Sequence, residues 1–208
     1  DHVHADHLPH AVIIDCSASE KVAALYPRWL AEGIHVVTPN KRANSGPLEL
    51  YDDLHESRRA AGSHYLYEAT VGAGLPIIQT LRDLRETGDE IRRIEGILSG
   101  TLAYLFNVWD GKQSFSEVVR VAKANGYTEP DPRDDLSGTD VARKLVILGR
   151  EMGLRLELSG VELEGLIPPS LSACDVDEFM NRLTELDAPM LKRLEAAHAK
   201  GKVLRYVA

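Results

Sequence analysis

Three short apolar segments separated by helical segments constrain the fold of this chain more than any other feature. Residues 11–16 (AVIIDC) are almost continuously apolar, and residues 34–38 (IHVVT) and 64–71 (HYLYEATV) repeat the pattern. Such runs are typical of strands buried on both faces of a parallel sheet. Helical patterns at 19–32 and 47–61 lie between them. This alternation predicts right-handed parallel crossovers and an α/β sheet.

Capping residues set the expected helix boundaries. Ser19 is suited to N-cap one helix that reaches about Glu32, with Gly33 as its stop. Pro76 is suited to the first turn of a helix that ends before Gly88. Further along the chain, the patterns predict helices over 102–110, 114–126, 139–152, 175–184 and 188–199, strands over 90–98 and 202–207, and a loop over 127–138. Ser114 and Glu117 have the spacing of a capping box. The buried face of the helix over 139–152 is expected to comprise Val141, Leu145, Leu148 and Met152.

Composition excludes several classes of protein. The 208 residues carry 24 Lys and Arg against 32 Asp and Glu, and the net charge of −8 argues against a nucleic-acid partner. The apolar runs are far shorter than a membrane span, so no membrane partner is expected. Cys16 and Cys174 form no CxxC pair, which favours reduced thiols in a cytoplasmic protein. The chain lacks an initiator Met, and we expect it to be a piece of a longer protein.

Gly72-Ala73-Gly74 leaves three interpretations open. A dinucleotide-binding loop needs a third glycine three residues on, where Ile77 stands instead. A tight turn into a helix is the simplest alternative. A turn of this kind also directs several backbone carbonyls inward, which is enough to hold a hard cation. The candidate carbonyl donors are Glu68, Val71, Ala73 and Leu75.

Two lysines and a group of acids are candidates for chemistry. Lys41 follows the second strand at its carboxyl end, where open α/β sheets bind ligands, although a solvated loop lysine fits equally well. Asp140 and Lys144 stand at i and i+4 on one helix. They could form an ordinary surface pair. They could also, with Glu129 and Asp135 nearby in sequence, bind a small zwitterion, the acids holding its ammonium group and the lysine acting on an oxygen.

Other polar groups carry weaker signals. The amino-terminal histidines, His2, His4, His7 and His10, lack the Cys or Asp partners that would complete a metal site. Ser17 and Ser19 lack the His and Asp of a nucleophilic triad. Ser99-Gly100-Thr101 is interpreted as a helix cap in preference to an anion site.

Four strings in order resemble the homoserine dehydrogenase family: VVTPNKRAN, EATVGAGLPII, GILSGTLAYLFN and GYTEPDPRDDLSGTDVARKL. The start, DHLPHAVIIDCSAS, looks most like the dehydrogenase part of a bifunctional aspartokinase–homoserine dehydrogenase. The resemblance extends to about residue 172. It implies NAD(P)-dependent interconversion of aspartate 4-semialdehyde and homoserine, on the route to threonine and methionine.

The resemblance also implies roles for individual residues. Lys144 matches the proton-transferring lysine, and Lys41 matches a second lysine near the nicotinamide and the substrate. Glu129 and Asp140 match the acids that bind the amino end of the substrate and organise the site, and Asp135 is a further substrate-binding candidate from the acidic loop. The residues that match the lining of the family's cofactor cleft are Ser17, Pro39 and Gly126. Those that match its sodium site are Glu68, Val71, Ala73 and Leu75.

The strongest change in composition falls near residue 45, where the loop TPNKRANSG closes the first strand–helix–strand unit, and a domain boundary is expected there. Residues 1–45 would be the remaining part of a Rossmann-like nucleotide-binding domain, and residues 46–208 a catalytic and dimerisation domain with a mixed sheet and helices. No GxGxxG unit occurs in the chain, so this piece is expected to bind cofactor weakly or not at all. A homodimer is expected, and any aspartokinase half would lie outside this chain. A non-catalytic dimerisation module cut from such an enzyme is the main alternative, and a related amino-acid dehydrogenase is a weaker one.

Overall fold

The computed structural model describes residues 10–208, which pack as two compact units. The first unit runs to Ile94 and takes in Arg143–Val161. The second comprises Glu95–Ala142 and Glu162–Ala208. The expected boundary near residue 45 concerns the domains of a longer protein and stays a prediction. His2, His4 and His7 lie outside the described residues.

The first unit contains a parallel sheet of three short strands in the order β1-β2-β3. The strands are β1 (Val12–Ile14), β2 (His35–Val37) and β3 (Tyr65–Leu66). Val36 of β2 is opposite Ile13 on one side and Tyr65 on the other. The α/β class and the parallel pairing of the three predicted segments are therefore confirmed.

Burial of these strands is less complete than the apolar runs predict. The middle residue Val36 is fully buried, whereas Val12 and Ile14 of β1 are 53% and 71% exposed. The expectation that β1 is buried on both faces is wrong for the described residues. The alternating exposure of β1 shows that only one of its faces packs against the first unit's core.

Helices of the first unit lie between and after the strands: α1 (Glu20–Ala23), α2 (Tyr26–Ala31), α3 (Arg42–Ser45), α4 (Leu48–Ala61) and α5 (Ile77–Glu86). Ser19 caps α1 by accepting a hydrogen bond from the Val22 amide. One helix over 19–32 was expected, but two are present. Pro27, in the first turn of α2, has no N–H to continue the hydrogen-bond ladder of α1.

The third predicted strand is also shorter than expected. Only Tyr65–Leu66 pair with β2, and a 3₁₀ turn follows at Glu68–Thr70. The Thr70 hydroxyl donates to the Tyr67 carbonyl at 2.7 Å and closes that turn. The chain thus leaves the sheet before it reaches Gly72.

The second unit is mainly helical. Its elements are α6 (Gly100–Val108), α7 (Phe115–Ala124), α8 (Pro132–Leu136), α9 (Thr139–Glu151), α10 (Pro169–Ser172), α11 (Val176–Arg182) and α12 (Asp187–His198), with α9 continuing into the first unit. Ser99 caps α6 and Ser114 caps α7 through their hydroxyls, as predicted. The core of this unit includes Leu102, Phe115 and Phe179, all fully buried.

Two expectations for this half are wrong. Residues 127–138 are not a continuous loop, because Asp131 caps the short helix α8 and Pro132 occupies its first turn, where a missing N–H costs nothing. The segments 90–98 and 202–207 are not assigned as strands. Gly96 and Ala208 nevertheless exchange two backbone hydrogen bonds at 2.8 and 2.9 Å, the pattern of an antiparallel pair.

Helix α9 is more buried than its amphipathic pattern predicts. Val141 and Leu148 are buried as expected, whereas Leu145 and Met152 are half-buried. Val146 and Ile147, on other faces, are also buried. Within residues 10–208, none of the helices has both the length and the apolar character needed to cross a bilayer.

Candidate active site

A buried carboxylate organises the carboxyl ends of β1 and β2. Asp15 directly follows β1 and is only 7% exposed. Its carboxylate accepts hydrogen bonds from the Tyr26 hydroxyl, from the Asn40 side-chain amide at 3.0 Å and from the Ser17 backbone amide at 2.8 Å. The Thr38 hydroxyl donates to the Asp15 carbonyl at 2.7 Å. Asp15 therefore joins the turns that follow both strands.

These hydrogen bonds keep Asp15 ionised. Burial alone would raise the pKa of its carboxyl group, but the donors on Tyr26, Ser17 and Asn40 stabilise the charged form and lower the pKa to about 2. The same burial and the neighbouring Asp15 charge raise the pKa of Tyr26 well above its usual value. The network thus carries a full negative charge at neutral pH.

Three sequence-predicted residues follow these strand ends. Ser17 and Pro39 are exposed, and Lys41 is half-buried at the start of α3. The backbone amide of Asn40 donates to the Thr38 hydroxyl at 2.8 Å, so the residue before Lys41 is fixed through its main chain as well as its side chain. Ligands bind open α/β sheets at this edge.

The turn over Glu68–Leu75 connects β3 to α5 through left-handed backbone. Gly72 and Ala73 both have left-handed backbone, with φ of 79° and 52°. The Leu75 amide closes the turn on the Gly72 carbonyl at 3.0 Å, and the turn follows a 3₁₀ segment instead of a strand. This geometry matches the tight-turn interpretation and not a dinucleotide loop.

The carboxylate of Glu68 caps the amino-terminal end of α5. It accepts from the backbone amides of Ile78 and Gln79 at 2.8 and 3.0 Å and so satisfies two free N–H groups of the helix. The carbonyls of Glu68 and Leu75 each accept one backbone hydrogen bond. Each still has a second lone pair for a ligand.

In the second unit, the structure brings Glu129 and Asp135 together. The Asp135 carboxylate accepts a 2.8 Å hydrogen bond from the Glu129 backbone amide. Glu129 is exposed and Asp135 is half-buried in α8. Gly126 ends α7 with left-handed backbone at φ 73° and is exposed. The side chain of Asp135 therefore fixes the backbone that presents the Glu129 carboxylate.

Asp140 and Lys144 lie one turn apart on α9. Asp140 occupies the first turn of the helix, where the helix dipole favours a negative charge. Both side chains are half-buried, and both take part in interactions with other groups. The predicted i, i+4 arrangement is therefore present, on a helix whose neighbouring residues are buried.

Sequence reasoning missed two buried charged residues at the end of α9. Arg150 and Glu151 are 2% and 4% exposed. Glu151 accepts a hydrogen bond from the Tyr67 hydroxyl, and Arg82 lies 3.6 Å from its carboxylate. An Arg-Glu pair at a helix end ordinarily indicates a solvated surface, so no signal in the sequence pointed to this network.

A group of three histidines crosses the opposite, amino-terminal edge of the sheet. The ring of His35 lies 4.9 Å from that of His64 and 6.2 Å from that of His10. Over the described part of the chain, no group of three or more His, Cys, Asp or Glu side chains is arranged to hold a metal ion.

Comparison with known protein families gives two matches that together span most of the chain. Residues 2–68 match the model for the NAD binding domain of homoserine dehydrogenase. Residues 76–208 match the model for homoserine dehydrogenase itself. The parallel sheet with polar residues at its carboxyl edge therefore lies in a part of NAD-binding type, and the mainly helical unit lies in the part matched to the second family model.

Individual relatives agree with these matches. The chain is 59% identical over 201 residues to bifunctional aspartokinase/homoserine dehydrogenase 1, chloroplastic, of Arabidopsis thaliana, covering 96% of this chain and 22% of that protein. It is 48% identical to the homoserine dehydrogenase of Schizosaccharomyces pombe, covering 95% of this chain and 54% of that protein. The chain belongs to the homoserine dehydrogenase family and spans about a quarter of the bifunctional relatives it matches.

A solved structure shares the fold. A hyperthermophilic archaeal homoserine dehydrogenase in complex with NADPH superposes with a TM-score of 0.61 at 29% identity, over 73% of this chain and 48% of that one. The expectations of the family, the α/β class and the fragmentary coverage are thereby confirmed.

Proposed function

We propose that the protein containing this chain interconverts aspartate 4-semialdehyde and homoserine with NADP or NAD. The observation that carries the proposal is the pairing of Asp140 and Lys144 one turn apart on α9, in a chain that belongs to the homoserine dehydrogenase family. The position of Lys41 after β2 supports it, because that edge of the sheet lies within the part matched to an NAD-binding domain.

The residues fit a nicotinamide cofactor at this edge of the sheet. Ser17 and Pro39 are exposed there, and the buried network of Asp15 holds the turns on which they stand. A fixed, exposed turn at the carboxyl ends of parallel strands is where such ligands bind. When bound, the cofactor supplies the hydride acceptor or donor.

The chain's own residues supply binding and proton transfer in this proposal. Lys144 moves a proton to or from the substrate oxygen. Lys41 stabilises the negative charge that develops on that oxygen. Glu129, Asp135 and Asp140 bind the ammonium group of the amino-acid substrate and orient it, which lowers the entropic part of the barrier.

The test is homoserine-dependent reduction of NADP, followed by absorbance of the reduced nicotinamide. Lys144→Ala should lower kcat by about 100-fold or more, the contribution of a positioned proton-transfer group. Lys192→Ala, an exposed lysine on α12, is the matched control and should leave kcat unchanged. More than a tenth of the original turnover in Lys144→Ala would contradict the proposed role.

A sodium ion in the Glu68–Leu75 turn is part of the proposal. The left-handed backbone at Gly72 and Ala73 turns the chain sharply, and carbonyl oxygens are suitable ligands for a hard cation. The proposed ligands are the carbonyls of Glu68, Val71, Ala73 and Leu75.

A homodimer is likewise proposed, on the family resemblance. The alternative that the chain is only a dimerisation module predicts dimers that bind no cofactor. Cofactor titration separates the two, because the dimerisation module alone would bind no cofactor. Light scattering tests the dimer itself, and a clean monomer at micromolar concentration would contradict it. A related dehydrogenase with another substrate would reduce NADP with a different amino acid in place of homoserine.

The remaining proposals concern cellular context. The reaction would contribute to threonine and methionine synthesis, and the bifunctional relatives favour an aspartokinase part in the same polypeptide. Cytoplasmic localisation stays a proposal. The plant relatives are described as chloroplastic, which is a property of those proteins.

A further inference from the structure

Arg150 is a buried cation whose hydrogen bonds go mainly to backbone carbonyls. Nη1 donates to the Asn44 carbonyl at 2.9 Å, and Nη2 donates to the Gly46 carbonyl at 2.8 Å. Nε and Nη2 both donate to the Leu156 carbonyl, at 3.0 and 2.7 Å. The planar guanidinium thus holds three carbonyls from two separate segments, an arrangement that a lysine ammonium cannot reproduce.

Two further contacts surround the guanidinium. Its carbon lies 5.0 Å from the centre of the Tyr51 ring on α4, within cation–π range. Its Nη2 is 3.6 Å from the carboxylate of Glu157, which is 45% exposed. Burial of the charge, only partly offset by Glu157 and Tyr51, lowers the pKa of Arg150. Burying a charged side chain costs free energy, so a buried arginine is unusual unless its hydrogen bonds stabilise the structure.

The segment that Arg150 holds is the turn that begins at Lys41. The Lys41 carbonyl accepts from the Ser45 amide at 2.9 Å and from the Ser45 hydroxyl at 2.8 Å. These two hydrogen bonds close the turn between Lys41 and Ser45. Gly46 packs closely at its end, because a Cβ there would lie 2.6 Å from the Arg42 carbonyl. The carbonyls bound by Arg150 flank Ser45 on both sides.

The other side of Lys41 is fixed to the sheet. The side-chain amide of Asn40 donates hydrogen bonds to the Asp15 carboxylate and to the Ser19 carbonyl. Its side-chain oxygen accepts a hydrogen bond from the Arg42 amide at 3.0 Å. The Lys41 backbone is thus held at one end by the sheet and at the other by α9. Arg150 follows Lys144 by six residues on that helix, about 9 Å along its axis.

We propose that Arg150 is a positioning residue for Lys41, which holds the Lys41–Gly46 turn against the helix that also carries Lys144. The inference rests on the proposed function in so far as Lys41 and Lys144 act on one substrate. Its physical basis is that a displacement of about 1 Å in a reacting group can cost about 100-fold in rate.

The test compares Arg150→Lys with Arg155→Ala in the full-length protein. Arg150→Lys keeps the charge but loses the fork that binds three carbonyls. Arg155 is a nearby arginine, 67% exposed and paired with Asp52, so its removal is the matched control. We expect Arg150→Lys to lower kcat by about 10-fold or more, with the KM for homoserine changed by less than about twofold.

A second readout does not depend on activity. Hydrogen exchange of the Ser45 amide reports whether the turn at Lys41 remains closed, and it should accelerate about 10-fold or more in Arg150→Lys and stay unchanged in Arg155→Ala. Unchanged hydrogen exchange in Arg150→Lys would show that Arg150 does not hold the Lys41–Gly46 turn and would overturn the proposal. Faster exchange with unchanged kcat would overturn the positioning role. If the original protein is inactive and exchange is faster in the variant, the proposed function is contradicted, but the role of Arg150 in holding the turn is supported.

A milder variant covers the case in which Arg150→Lys does not fold. Ser45→Ala removes the hydroxyl bond to the Lys41 carbonyl and leaves every bond of Arg150 in place. We expect kcat to fall by about fivefold at unchanged KM, the size of one lost hydrogen bond. An unfolded Arg150→Lys together with full kcat in Ser45→Ala would assign Arg150 to stability alone and overturn the proposal.

Discussion

The side-chain nitrogen of Asn40 lies 3.0 Å from a carboxylate oxygen of Asp15, so the residue before Lys41 is bonded directly to the end of β1. This hydrogen bond links the ends of two parallel strands at the edge of the sheet where we propose that the cofactor binds. It also makes Asp15 the residue on which the geometry of both turns depends, although Asp15 itself is buried.

Replacing Asp15 by Asn should therefore destabilise the first unit. Asn presents an NH₂ group to donors on Tyr26, Ser17 and Asn40, and the mismatch leaves buried groups unpaired. We expect a loss of about 2–3 kcal/mol in the free energy of unfolding, measured by urea denaturation. Asp53→Asn, at an exposed site on α4, should change it by less than about 0.5 kcal/mol. Equal stability of the two variants would contradict the role of Asp15.

Stability should depend on pH through His55. Burial and the charges of Arg58 and Arg59 lower the pKa of His55 from 6.5 to about 4 in the folded protein. Between these pH values, His55 binds more protons in the unfolded chain than in the folded protein. Its contribution to the free energy of unfolding is therefore fully present above pH 6.5 and is lost as the pH falls towards 4. The loss attributable to this group is at most about 3 kcal/mol.

Variants of two histidines test this dependence. His55→Leu should reduce the pH dependence of the free energy of unfolding, measured by urea denaturation between pH 7 and 5, because it removes the titrating group. His198→Leu, at an exposed position ending α12, should retain the slope. A slope that survives in His55→Leu would show that another group titrates in this range.

The contact between Asp135 and Glu129 predicts an effect on substrate binding. Glu129→Gln removes the proposed charge for the substrate ammonium, and Asp135→Ala removes the acceptor that holds the Glu129 amide. Both should raise the KM for homoserine, by about 10-fold for Glu129→Gln, the scale of one charged hydrogen bond. Glu162→Gln, at another exposed glutamate of the second unit, should leave KM unchanged. A KM that does not respond to Glu129→Gln would remove this residue from the binding site.

Sodium binding is testable with two glycines of similar backbone. Sodium chloride in place of choline chloride should raise Tm by about 3 °C when sodium is at about ten times its Kd. Gly72→Ala should abolish this rise, because a Cβ there would lie 2.6 Å from Ile77 in a left-handed turn. Gly88→Ala, also left-handed at φ 87° but with open space around it, should lose stability and keep the sodium response. Identical Tm values in the two salts would contradict a sodium site.

The sequence predicted the parts of the fold that depend on local pattern. The three parallel strands, the caps Ser99 and Ser114 and the helix of Asp140 and Lys144 follow from apolar periodicity and from polar residues at helix starts. Two of the predictions failed because proline changed the hydrogen bonding. Pro27 divides one expected helix, and Pro132 begins an unexpected one.

The parts of the site that depend on long-range contacts were not predictable. Asp15 and Asn40 are 25 residues apart, and Arg150 reaches carbonyls more than 100 residues away. No local pattern distinguishes such an arginine from a solvated one at a helix end. The buried positions of Arg150 and Glu151 become evident only when the strands and α9 are packed together.

The most direct measurement follows the hydride itself. The full-length protein would be given aspartate 4-semialdehyde and NADPH deuterated at the nicotinamide C4, and the product would be analysed by NMR. We predict homoserine with deuterium at the carbon that was the aldehyde, and loss of that product in Lys144→Ala. Absence of labelled homoserine from the unaltered protein, or undiminished formation in Lys144→Ala, would contradict the proposed chemistry.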